Sequence, residues 1–266
     1  MGFTVVENPI RTIWAPLDTT STPTVYVGQL AKSTGDGVGA VAQASGAGDT
    51  TGKQVIMGVI SGTNNRTPVY STTSNSDSIT AVITQAAQNA RDFTGVEGFY
   101  SKGDQQSYVQ LTLIGPNTIL KAPIYNAALG TAPTLLTVST GSTTGLGFTS
   151  NACDFTPVAD LATSYCRTGA NAGLYRISDD TSTTVETNDV AFQYDIAIGD
   201  TFVRVPMRPF GQSYVQTDAS ALYFNSAASP ATDYFIIDVI GLDLKEAGKE
   251  SVYFKFNQCH FDLVRA

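Results

Sequence analysis

Near the C-terminus of this chain, apolar and polar residues alternate one for one. Val252, Phe254 and Phe256 fall on one side of the period, and Tyr253, Lys255 and Asn257 on the other. A period of two belongs to an extended chain whose successive side chains point to opposite faces. Ser251 to Asn257 therefore reads as a strand with one face on a core. Before it, Tyr234 to Leu244 (YFIIDVIGLDL) is an unbroken β-prone run, spanning about 35 Å at ~3.3 Å per residue. The turn between them, Lys245 to Lys249, contains Gly248. The three segments predict a long amphipathic hairpin that must bury one face.

The rest of the sequence repeats this texture on a shorter scale, with apolar runs divided by turn clusters. Strands are expected over Thr24 to Ala31, Val38 to Gln43, Lys53 to Ile60, Ile79 to Thr84 and Gln106 to Ile114. In the last of these, Val109, Leu111 and Leu113 share a purely apolar face. Gly115-Pro116-Asn117 breaks the pattern and suggests a module boundary. Further strands are expected over Gly173 to Ile177, Thr183 to Thr187, Asp189 to Ile196, Asp200 to Val205, Ser213 to Thr217 and Ala221 to Asn225. Two short helices are expected. Gln85 to Asp92 has Thr84 as N-cap and Gly95 beyond its end. Val158 to Cys166 has Thr156 as N-cap, Pro157 at the first helical position and Gly169 past the end. The fold class read from these patterns is mainly β, with one or two β-sandwich or barrel-like modules and short helices. The modules run over 1–115 and 116–266, the second ending in the long hairpin.

Composition narrows the function. Charged residues make up 14% of the chain, against roughly 25% in an average soluble domain. Polarity comes instead from Thr, Ser, Asn, Gln and Gly, which suit strands and turns. The net charge is -8, and the 15 Lys and Arg residues are scattered singly. Nucleic acid binding needs a basic footprint to neutralise phosphates, and none is present. No run approaches the ~18 apolar residues that a membrane-spanning helix requires. Met1 to Thr12 has neither a basic start nor an apolar stretch, so no secretion signal is read there. With the odd count of Cys153, Cys166 and Cys259, this leads us to expect reduced thiols rather than a disulfide framework. Asn65-Arg66-Thr67 is then a chance glycosylation sequon.

Catalytic chemistry finds little to build on. The single histidine is His260, and a nucleophilic triad or dyad has to use it. Its neighbour Cys259 points to the opposite face on a strand, so the two form no local dyad. Cys153, Cys166, Cys259 and His260 contain the residue types of a Cys3His zinc site but lack the close cysteine pair that identifies one. Ala47 to Gln54 superficially resembles a phosphate-binding loop. Ala47 replaces its first Gly, Gln54 its magnesium-binding hydroxyl, and an apolar strand follows where a helix is required. Asp179-Asp180 lies in a Ser-Asp-Asp-Thr-Ser segment read as a turn, where aspartates cap their own backbone. With 12 Tyr and 13 Phe but only Trp14 as tryptophan, the chain gives no clear carbohydrate platform. The expectation is a protein that is not an enzyme, with no catalytic, cofactor-binding or metal-binding residues.

One stretch resembles a known family. Val25-Tyr26-Val27-Gly28-Gln29-Leu30, the Gly-rich turn after it, Val38 to Ala44, a small-residue loop and Ile56-Met57-Gly58-Val59-Ile60 are together similar to the opening of bacteriophage head decoration proteins. The Thr/Ser/Gly/Ala-rich, weakly charged texture also resembles tailed-phage virion proteins. The resemblance covers Val25 to Thr63 and leaves the half from Pro116 onward unaddressed. It implies a virion structural protein, a capsid decoration (cement) protein on the outer surface of a phage head. Its partners are then the major capsid protein or other virion proteins. Made in the host cytoplasm, it forms a homo-oligomer, a trimer, and binds neither nucleic acid nor membrane. Gly199-Asp200-Thr201-Phe202-Val203 resembles a step found in tail and baseplate barrels, so a tail, fibre or baseplate component is the alternative. From another class, the alternative is a carbohydrate- or surface-binding β-sandwich.

Overall fold

A computed structural model describes residues 2–16, 27–33, 38–40, 56–63, 69–70, 79–81, 108–126, 134–141, 145–150, 163–182, 185–188, 190–205, 207–217, 222–224, 235–257 and 259. Regular structure among them is entirely strand. In chain order the strands are β1 (Thr4–Glu7), β2 (Arg11–Pro16), β3 (Leu30–Ser33), β4 (Val38–Ala40), β5 (Ile56–Thr63), β6 (Val69–Tyr70) and β7 (Ile79–Ala81). They continue with β8 (Tyr108–Leu113), β9 (Ile119–Asn126), β10 (Thr134–Thr137), β11 (Gly147–Thr149), β12 (Thr163–Cys166), β13 (Gly173–Ser182) and β14 (Val185–Asn188). The last are β15 (Thr201–Val205), β16 (Gln212–Thr217), β17 (Leu222–Phe224), β18 (Phe235–Asp243) and β19 (Ser251–Phe256). Two compact units share them. One comprises Met1–Leu120, Thr217–Ser220 and Gln258–Ala266, the other Lys121–Gln216 and Ala221–Asn257.

The first unit is organised around an antiparallel sheet in the order β2-β8-β5-β3-β4. Val109, Leu111 and Leu113 of β8 are buried with Ala15, Ala31, Val38 and Ile60, so the apolar face expected of this strand does meet a core. Leu30 pairs with Val59 and Ala31 with Gly58 across β3 and β5. Gly58 is required there, because a Cβ would lie 2.5 Å from the Thr112 carbonyl oxygen. Gly28, at φ +91°, turns the chain into β3; its amide donates to the Ile60 carbonyl, and its own carbonyl accepts from Phe3. The strand expected from Thr24 thus begins only at Leu30 within the described residues.

In the second unit β9, β17, β16, β18 and β19 are hydrogen-bonded in that order, and β9 also pairs with β19, so the ring closes. Closure leaves no open strand edge in this ring. The hairpin read from the sequence forms two of its members. Ile237 faces Phe256, Val239 faces Phe254, and after a bulge Leu242 faces Val252. Ile237, Val239, Val252, Phe254 and Phe256 are buried.

The other sheet of this unit runs β10-β15-β12-β13-β14-β11, antiparallel at each pairing. Its ends nearly meet, through an isolated bridge between Thr140 and Thr149 and a hydrogen bond from the Ser139 amide to the Thr149 carbonyl. An aromatic core fills it. Phe148 stacks on Phe202 at 4.2 Å, Phe192 meets Phe202 edge-on at 5.8 Å, and Leu136, Val138, Cys166 and Ile196 pack around them. Such ring pairs add specific geometry to the area they bury.

Several expectations need correction. The helix Val158 to Cys166 does not form over its described part, because Thr163–Cys166 is a central strand. It is paired on both sides, with β13 and with β15. Two ladders of non-local hydrogen bonds outweigh a local capping signal. Gly169 does take a left-handed φ of +81°, but in the turn from β12 to β13. Asp179 and Asp180 lie within β13, where the register shifts at Asp179, and form no turn. Asp189 to Ile196 is not a strand over its described residues. It is largely irregular, with Phe192 and Ile196 sunk into the aromatic core. Strands β1, β2, β6, β9, β10 and β11 went unread. The helix expected at Gln85 to Asp92 lies outside the described residues.

Candidate interaction surface

Of the three cysteines and the histidine that chemistry singled out, Cys166 and Cys259 lie among the described residues. Cys153, His260 and the segment Ala47 to Gln54 lie outside the described residues. Cys166 and Cys259 are both buried. The Cys166 thiol donates to the Thr168 carbonyl at 3.0 Å, and burial, with the Asp200 carboxylate beside it, pushes it up to about 11. It stays protonated at neutral pH, so it is a poor nucleophile or metal ligand there. Among the described residues no three His, Cys, Asp or Glu side chains gather as a metal site would require.

What the second unit does offer is apolar surface on backbone that is tied down. Its first element is the turn Arg208-Pro209-Phe210-Gly211. Phe210 has a φ of 59°, a region that bulky L-residues avoid, and it is 89% exposed. The turn is locked at its base. The Phe210 amide donates to the Val239 carbonyl at 2.8 Å, and the Val239 amide to the Gly211 carbonyl at 2.8 Å. The Arg208 guanidinium donates to the Ile177 carbonyl at 3.0 Å. Just before the turn, the Thr163 hydroxyl donates to the carbonyl of the fully buried Met207.

The second element is the segment from Val190 to Gly199. Its buried residues, Phe192 and Ile196, anchor it from within, leaving Val190 68%, Tyr194 49% and Ile198 74% exposed. The Asn171 side chain acts as a substitute strand. Its Oδ1 accepts from the Tyr194 amide at 3.0 Å and its Nδ2 donates to the Tyr194 carbonyl at 2.9 Å. The Tyr175 hydroxyl donates to the Asn171 carbonyl in turn. At the far end, the Asp200 carboxylate accepts from the Ala197 amide, and the Gly199 amide donates to the Val138 carbonyl. The segment is irregular but held, since the backbone of Phe192, Tyr194, Ala197 and Gly199 has fixed partners.

Charges on the outer face of the hairpin are already paired. Lys255 lies 3.7 Å from Asp238, and Lys121 lies 3.4 Å from Asp243. The ammonium of Lys121 also sits 5.0 Å from the centre of the Tyr253 ring; its hydrogen bond to Tyr253, with Asp243, holds its pKa above the ordinary lysine value. An ion pair of another kind lies deeper. Arg167 and Glu250 are in contact with only 10% and 6% of their side chains exposed, and Arg167 Nε donates to the Leu244 carbonyl.

Sequence reasoning missed both surface elements. Pro-Phe-Gly signals a turn, and an aromatic at a position that favours Gly or Asn was the available clue. The Val190 segment carried no clue, because its apolar residues read equally well as a strand. No protein-family model, no curated protein and no solved structure matches the chain.

Proposed function

We propose that this chain is a virion structural protein, a capsid decoration or cement protein that binds the outer surface of a phage head. In this reading it is not an enzyme. It is made in the host cytoplasm and resides in the virion as a homo-oligomer, a trimer. Its partners are the major capsid protein or other virion proteins, and neither nucleic acid nor membrane is among them. The observation that carries the reading is the exposed apolar surface on pinned backbone, with Phe210 and the Val190 to Ile198 segment held outward by an all-β scaffold. Surface of this kind suits a protein partner better than solvent. Two of the segments on which the family resemblance rests are neighbours, with Leu30 opposite Val59.

Mass spectrometry of purified particles tests this directly. The chain is expected at a stoichiometric ratio to the major capsid protein. Its absence from particles sinks the reading, and its presence in isolated tails moves it to the tail, fibre or baseplate alternative. One observation favours the reading from the other class, because Trp14 on β2 is 54% exposed and offers a ring for sugar stacking. Retention of the isolated chain on a polysaccharide column, lost in Trp14→Ala, would establish that alternative.

A further inference from the structure

Trp14, the only tryptophan of the chain, is 54% exposed on β2, and the register of the first unit's sheet fixes its neighbours. Ile13 and Ala15 pack against the core of this sheet, so Thr12 and Trp14 lie on its outer face. On β8, Gln110 stands opposite Trp14 and Thr112 opposite Thr12. Residues paired in this way share a face, with Cβ atoms about 5 Å apart. The Thr12 and Thr112 hydroxyls are 3.3 Å from each other. On β5, Gly62 stands opposite Gln110. A Cβ on Gly62 would lie 2.7 Å from Gln110 Oε1, so the Gln110 amide lies across the bare backbone of β5. The Ser61 hydroxyl donates to the Gln110 carbonyl beside it. Ring, amide and hydroxyls thus form one continuous strip across β2, β8 and β5.

Charge is kept away from this strip. Among the described residues of the sheet, the charged ones are Arg11 and Lys32. Arg11, exposed at the start of β2, falls on the Ile13 side of the alternation. Lys32 stands opposite Ile56, at the other end of β5 from Gly62 and about 20 Å along it. An uncharged strip gives no counter-charge to a phosphate, an anionic lipid or an acidic sugar. A protein interface surrounds its aromatic anchor with apolar side chains. Here the residue opposite the ring is an amide, and the next pair is Thr with Thr. A sheet face does not enclose a small molecule as a pocket does. A neutral polysaccharide meets each condition. One side of a pyranose ring presents C–H groups that stack on an indole, and its hydroxyls pair with amides and hydroxyls. An extended polymer needs no pocket.

We infer that this strip binds a short stretch of a neutral polysaccharide, with a pyranose stacked on Trp14 and its hydroxyls bonded to the Gln110 side-chain amide and the Thr12–Thr112 pair. The assignment rests on the carbohydrate-binding reading of Trp14 and supplies the groups around the ring and the charge class of the sugar. It is independent of residence in a virion.

With a single tryptophan in the chain, tryptophan fluorescence reports this face alone. The full chain is titrated with dextran, a linear β-glucan and a galactomannan as neutral polymers, and with polygalacturonate as an acidic one. Emission is expected to move to shorter wavelength with a neutral polymer and to stay in place with polygalacturonate. On a column of the neutral polymer that binds, Trp14→Ala is expected to lose at least about tenfold in affinity. Gln110→Ala and Gly62→Ala are each expected to lose about three- to tenfold, the latter because its new Cβ displaces the amide and leaves Trp14 in place. Thermal midpoints equal to that of the parent show that the fold is intact, and Gln110→Ala carries the comparison if Gly62→Ala does not fold. No shift with any neutral polymer overturns both the strip and the carbohydrate reading. An equal shift with polygalacturonate overturns the neutral assignment. Retention lost in Trp14→Ala but unchanged in Gln110→Ala leaves the ring as a sugar contact and overturns the strip. A shift that appears on concentrating the chain, instead of with sugar, places protein on this face and overturns the assignment too.

Discussion

At the scale of single residues, two side chains bear costs that can be measured. Phe210 adopts a left-handed backbone with a bulky Cβ substituent. Asn tolerates that conformation because its short side chain bonds locally. Phe210→Asn is expected to raise stability by about 0.5–1 kcal/mol, read as a higher urea midpoint at concentrations where the chain is dissociated. An unchanged or lower midpoint means that the turn is not strained. Cys166 makes the second case. Its folded value of about 11 stands above the ordinary 9.0, so between these values the folded chain holds a proton that the unfolded chain releases. Its contribution is complete below pH 9 and is lost as pH rises through about 11. Tyr175 is raised as well, by burial and then by the Cys166 charge, and acts in the same sense. Urea midpoints measured from pH 8 to 11 should fall more steeply for the parent than for Cys166→Ala.

At the scale of elements, the second unit depends on the hairpin β18–β19. Phe254 is fully buried opposite Val239, so Phe254→Asp places a carboxylate on a buried apolar face. The loss is expected to exceed about 3 kcal/mol, seen as an unfolded or aggregated product. A variant as stable as the parent would mean that this face meets water. The turn of the same hairpin is tied to the end of β12 by Arg167. Its guanidinium contacts Glu250 and donates to Leu244, both within the second unit. A buried pair is not automatically stabilising, but breaking one leaves a charge without its partner. Glu250→Ala is therefore expected to cost about 3–5 kcal/mol, and Arg167→Met combined with Glu250→Leu much less. A double-mutant cycle on thermal midpoints reads the difference. Additive losses would show that the pair contributes no coupling.

At the scale of the whole molecule, sheet edges and exposed apolar side chains set the question. The ring of β9, β17, β16, β18 and β19 closes, and the aromatic sheet nearly does. Phe210 and Ile198, by contrast, leave apolar surface in water. With only seven lysines in 266 residues, strand edges have little of the positive charge that commonly guards them. Assembly linked to folding makes stability depend on concentration. The thermal midpoint of the parent is expected to climb as protein concentration is raised a hundredfold, and that of Phe210→Asn to climb less. Midpoints independent of concentration in both would show that the folded chain stands alone.

The sequence by itself determined which residues of the hairpin face inward. Val252, Phe254 and Phe256 follow from a period of two, as do Val109, Leu111 and Leu113 in β8. Periodicity is local information, carried by neighbours along the chain. Only the tertiary structure decided that Thr163 to Cys166 is a strand, because the two partners that make it one, β13 and β15, come later in the chain. The same holds for the irregular segment at Val190 to Ile198. Its apolar residues are split between core and surface by the Asn171 side chain and the Phe148–Phe202 stack, neither of which a linear pattern contains. Ring closure unites residues as distant as Ile124 and Glu250, a pairing that no window of sequence can anticipate. The candidate surface was hidden for the same reason. That Pro209-Phe210-Gly211 forms a turn is written in those residues. That the ring points into water is fixed by Val239 and Ile177, which hold the turn from elsewhere in the chain.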